Sequence, residues 1–172
     1  MTPREIYQHK LAAKQLAKVP VFKPQKRGKL PRPFAKMGGP RIHCTGMLDV
    51  SVDHQVIMYW RDGDLLTDRL FMGHLFCKLA NGSLSPIFEF HWHPSHKGFH
   101  CKTPCRTEIN YTDRMLPGAP ELALTTQPDT DPKKPLDLTK LVYIFCKTCG
   151  ISLPEPAFET ETTPQTMPLW PS

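Results

Sequence analysis

From Ile42 to about Trp92, apolar and polar side chains alternate with a period of two, the pattern of half-buried strands. Leu48, Val50 and Val52 alternate with Asp49, Ser51 and Asp53, and Val56 to Trp60 is a β-rich run ending at the Asp62-Gly63 turn signal. Two more runs, Leu70 to Leu79 and Ile87 to His93, flank Asn81-Gly82. Asn-Gly between such runs predicts a tight hairpin. With Asn81-Gly82 as a two-residue turn, His74 faces Glu89, Met72 faces His91 and Leu70 faces His93. One face then carries Phe71, Gly73, Leu75, Cys77, Phe88, Phe90 and Trp92, and reads as core. The opposite face carries His74, Glu89, His91 and His93, with Met72 and Ile87 around them.

The period changes on either side. Residues 2–18 read as a helix: Thr2 is the N-cap, Pro3 suits the first turn, and Glu5 completes a capping box. Pro20 ends it, and residues 20–40, rich in proline and basic residues, read as an extended, mobile linker with nothing to make a core. Residues 94–135 hold no sustained pattern. Residues 138–149 read as a helix, with Asp137 as N-cap, an apolar stripe of Leu138, Leu141, Val142 and Phe145, and Gly150 just past the end. The prediction is an α+β fold. It is an antiparallel β-meander of about four strands with an N-terminal and a C-terminal helix, zinc-stapled, with Pro-rich tails. It divides into a basic helix and Pro-rich arm (1–40), a zinc-binding domain (41–152) and a disordered Pro-rich tail (153–172).

Charge sharpens the division. The chain has 172 residues and a formal net charge of +6, but residues 1–40 contribute ten Lys/Arg and a single acid, Glu5. The remainder is net acidic. The arm therefore offers Lys23, Lys26, Arg27, Lys29, Arg32 and Lys36 to nucleic acid or to an acidic protein surface. No apolar run is long enough to cross a membrane as a helix, and no apolar stretch follows the start, so a secretory signal is not expected and a cytoplasmic location is.

Four of the six cysteines form two close pairs, Cys101/Cys105 and Cys146/Cys149. Two short-spaced pairs separated by a long loop are how a chain assembles a tetrahedral thiolate site, so Zn2+ is the expected cofactor. His96 and His100 are possible additional ligands. Such a site would also tether the irregular segment. Without an export signal a disulfide framework is disfavoured. A redox pair at Cys146/Cys149 would sit at a helix end, where the dipole raises the thiol pKa. Cys44 and Cys77 read as small buried hydrophobes.

The histidine face suits a second chemistry. Three imidazoles and a carboxylate on a rigid sheet could bind a metal, or serve as acid and base in phosphodiester cleavage. Phosphate loops, dinucleotide fingerprints, nucleophile elbows and zinc-protease helices are absent from the sequence. The leading expectation is thus a small zinc-binding protein that contacts nucleic acid or an acidic partner through its basic arm. The alternative is a hydrolase, most plausibly a nuclease, using His74, Glu89, His91 and His93.

Overall fold

A computed structural model describes residues 1–94, 98–102 and 130–154. Helix α1 spans Pro3–Leu11. It opens as predicted: the Thr2 hydroxyl accepts from the Glu5 amide, and the Glu5 carboxylate accepts from the Thr2 backbone. It ends well before Pro20, and Lys14 shows why. The buried Lys14 ammonium donates to the carbonyls of Lys10, Ala12 and Cys149, satisfying acceptors left free at two helix ends. The chain there becomes a short strand, β1 (Lys14–Gln15), parallel to β8 (Ile151–Ser152).

The main sheet is antiparallel and has six strands, not about four. In spatial order they are β2 (Lys23–Pro24), β3 (Ile42–Asp49), β4 (His54–Arg61), β5 (Leu70–Lys78), β6 (Leu84–His93) and β7 (Gly98–Lys102). The first of these comes from the segment read as a linker. That segment also buries Phe34, whose ring joins Cys44, Ile57 and Phe76 in a core on one face of the sheet. Proline and lysine dominate the segment's composition, but one large aromatic is enough to fasten it.

The β5–β6 register agrees with the hairpin reading where it matters, His74 opposite Glu89 and Met72 opposite His91. It is reached by a different route. Near the turn, Lys78 pairs with Leu84, Cys77 with Ser85 and Phe76 with Pro86, so Leu79 to Ser83 form the loop. A bulge between Leu75 and Phe76 then restores the alignment. The extra residue is Ile87, expected beside the histidines; the bulge turns it into the main core together with Phe88.

Helix α2 (Pro135–Thr148) starts earlier than predicted. Asp137 lies in its first turn, where its carboxylate accepts from the Asp131 amide and the Lys140 ammonium. Gly150 follows the helix with φ +63°, the left-handed conformation expected of a residue at that place. Gly73 in β5 makes room for this helix: a β-carbon there would come within 2.7 Å of the Phe145 ring. The main core lies between this face of the sheet and α1, α2 and β8, with Phe71, Phe88, Phe90, Trp92 and Phe145 at its centre. Truncating Phe145 to Ala would cost about 3–5 kcal/mol. An Arg69–Asp131 ion pair, with Asp62 and Lys133 beside it, ties the start of α2 to the β4–β5 connection. Among the described residues no helix is long and apolar enough to cross a membrane.

Candidate metal centre

Three side chains from distant parts of the sequence meet at one edge of the main core. His9 comes from the last turn of α1, His54 opens β4, and Cys77 lies directly opposite His54 on β5. Among the described residues theirs is the one group of three whose donor atoms all lie within 4.8 Å of one another. His9 Nδ1 is 3.0 Å from His54 Nε2, and Cys77 Sγ is 4.0 Å from His9 Nε2. A tetrahedral zinc site would need separations of roughly 3.3 Å between nitrogens and roughly 3.6 Å between nitrogen and sulfur. The two distances leave from different nitrogens of His9, and one ion would take only one of them, so the His9 ring would have to turn for the set to close. With one donor atom from each residue the three lie within 4.8 Å of one another, and the group could hold a metal ion.

The surroundings orient the donors. Ser51 Oγ lies 2.8 Å from His54 Nδ1, and the same oxygen accepts the Asp53 amide at 3.3 Å. A hydroxyl on Nδ1 fixes the imidazole plane and leaves Nε2 facing His9 and the cysteine, the arrangement typical of a metal-binding histidine and its supporting partner. Burial, with the charges of Lys14 and His9, pushes His54 down to about 4, so it is neutral with a lone pair to give. Burial pushes the Cys77 thiol up, reinforced by Asp53. A metal would reverse that, since thiolate coordination releases the proton.

The histidine face differs. His74 is only 7% exposed and packs among rings: near-parallel to Tyr59 and Phe76, edge-on to Phe34. Its Nε2 is buried without a hydrogen-bond partner among the described residues. Burial pushes it down to about 4. Glu89 accepts from His91 at 3.2 Å, which holds its carboxyl below the ordinary value, and the His91 and His93 rings are 6.0 Å apart. All four predicted residues therefore lie on one face, but His74 is largely covered, with Phe34 packed against it.

The predicted thiolate site is placed only in part. Cys101, Cys146 and Cys149 all enter the main core, where burial pushes each thiol well up. Cys105 and His96 lie outside the described residues, and His100 is placed only by its backbone, opposite His91. All six predicted basic residues, Lys23, Lys26, Arg27, Lys29, Arg32 and Lys36, are exposed.

Sequence reasoning missed the His9, His54 and Cys77 group. Cys77 is indeed buried among hydrophobes, yet the pairing with His54 also brings its sulfur close to two imidazoles. The pairing crosses a connection containing a 3-10 turn, Leu66–Asp68, so no hairpin rule reaches it. The position of His9 depends on how α1 docks, which no local pattern encodes. Against protein-family models, curated proteins and solved structures, this chain finds no match.

Proposed function

We propose that this chain is a small zinc-binding protein that binds nucleic acid through the basic segment 23–36. The observation that carries the reading is the setting of its six cations. They are exposed, no acid interrupts them, and β2 and Phe34 fasten the segment to the sheet. A fastened cationic loop meets a phosphate backbone with less ordering cost than a free tail. The zinc would sit at His9, His54 and Cys77 and lock α1 onto the sheet edge. Two imidazoles and a thiolate suit zinc, whose tetrahedral shell is then completed by a fourth donor.

The test uses charge reversal in the full chain, because Ile6, Leu16 and Phe34 are core residues and deleting the arm would remove part of the fold. Lys26→Glu/Arg27→Glu should weaken binding of a polyanion such as heparin or mixed-sequence nucleic acid. In the wild type, six phosphate contacts give a slope of log affinity against log salt of roughly −4 for a single strand. Salt-insensitive binding, or binding unchanged by the reversal, rejects the nucleic-acid part. Binding to acidic proteins alone would move the reading to a protein partner.

A second reading, a nuclease, is favoured by the Glu89–His91 pair beside His93. It requires that His91→Ala abolish cleavage of RNA or DNA while the protein stays folded. A wild type that cleaves neither rejects it.

A further inference from the structure

The segment carrying the six cations also forms one wall of a groove. The groove, of about 1130 Å³, runs between Pro31–Phe34 and the face of β4, β5 and β6. Its volume is ample for a nucleobase with its sugar. Arg32 stands exposed on one wall. Lys78 stands on the other, sharing its charge with Asp49 at 2.6 Å. Phe34 and Phe76 supply apolar surface below. Two polar groups lie deeper: His74, nine-tenths buried with Nε2 unpaired among the described residues, and the partly buried Glu89 carboxylate. A cationic rim over an apolar wall, with an acceptor carboxylate inside, matches a nucleotide: phosphate outside, base within.

We infer that this groove binds single-stranded nucleic acid by taking one base, carrying an exocyclic amino group, against Glu89. The inference rests on the nucleic-acid reading above and narrows it. A carboxylate accepts from the amino group of cytosine or adenine, whereas the thymine or uracil carbonyl in its place would meet it lone pair to lone pair. A base still paired and stacked in a duplex cannot enter, so the groove selects strands whose bases are free. The five other cations of the segment, beyond Arg32, lie along the same length of chain and suit the flanking phosphates.

Fluorescence anisotropy on the full chain with labelled 12-mers tests this, comparing oligo-dC, oligo-dT and a blunt mixed duplex, with an oligo-C and oligo-U pair for RNA. Oligo-dC should bind about tenfold more tightly than oligo-dT, and more tightly than the duplex. Glu89→Gln, which can both donate and accept, should erase that preference. Ala80→Trp places an indole in the groove from an exposed loop position, and should lower single-strand binding to the duplex level. Circular dichroism confirms that each variant is folded. Equal affinity for oligo-dC, oligo-dT and duplex, or indifference to Ala80→Trp, overturns the groove and leaves the basic segment standing. Failure to bind any of the probes overturns both.

Discussion

His54 and His74 sit on neighbouring strands, both buried, and burial pushes both down to about 4. They differ in what meets their nitrogens. His54 has Ser51 Oγ on Nδ1 and His9 on Nε2, with a thiol opposite it on the next strand. His74 has rings on its faces and an Nε2 with no partner among the described residues. A depressed histidine pKa therefore reports burial, not function. What separates a ligand from a packed ring is whether lone pairs of other donors converge on the same point and whether a further group orients the imidazole. The same lesson applies to Cys77 against Cys146. Both are buried thiols, but among the described residues Cys77 alone of the two shares its neighbourhood with two imidazoles.

The largest effect expected from this contrast is on metal content. Full-length protein supplied with Zn2+ should retain it at the His9–His54–Cys77 group by elemental analysis. Cys77→Ser and His54→Phe should each weaken zinc affinity by more than about 100-fold, beyond the effect of losing an orienting group. His74→Phe should leave it unchanged. At a free zinc concentration of about 100 times Kd, the wild type should gain about 2.7 kcal/mol of stability, seen as a higher Tm. Zinc retained by both ligand variants would place the metal with the thiols of Cys101, Cys146 and Cys149 instead. Copper at the same group would keep the site and change its chemistry, since two imidazoles and a thiolate also suit that metal.

A smaller effect belongs to Ser51. Ser51→Ala removes the group on His54 Nδ1 without touching a donor atom. Zinc affinity, read by competition with a chromophoric chelator, should fall by about 10–100-fold. An unchanged affinity would mean that backbone and packing alone orient the ring.

The sequence exposed these two histidines unequally. His74, Glu89 and His91 lie within one hairpin, so period-two alternation and a turn signal were enough to put them on one face. Even there, the alignment came out right although the loop is longer than a two-residue turn, because the Leu75–Phe76 bulge compensates. What alternation could not reveal is that Phe34, from a proline-rich stretch, would cover that face. The capping box of α1 and the glycine after α2 were legible because caps are local chemistry. The early end of α1 was not, since it depends on Lys14 reaching a carbonyl at the far end of the fold. The His9–His54–Cys77 group combines both difficulties, a non-hairpin strand pairing and a docked helix.

Acid should expose the feature the two histidines share. Each has a folded-state pKa near 4 against an ordinary value of 6.5. Between those values the unfolded chain binds more protons than the folded one, so stability rises with pH from about 4 to about 6.5 and then levels. Denaturant unfolding across that window should show the rise, and His74→Phe should reduce its slope by roughly half if the two contribute equally. A slope untouched by His74→Phe would mean that His74 is less enclosed than its 7% exposure indicates.

The smallest effect is also the most discriminating. His74→Phe keeps a flat ring of similar size between Tyr59 and Phe76 and removes a buried nitrogen that has no partner among the described residues. An unsatisfied buried polar atom costs about 1–3 kcal/mol, and exchanging it for an apolar group of the same shape is near neutral or stabilising. Stability at pH 7.5 should therefore change by less than about 1 kcal/mol, in the stabilising direction if at all. His54→Phe without metal should be destabilising, because it strands the Ser51 hydroxyl and His9 Nδ1 at a part-buried edge. If the order were reversed, with His74→Phe the costly change, His74 would have to be making a polar contact essential to the fold. The distinction between a packed ring and a donor-ringed one would then fail at the residue that defines it.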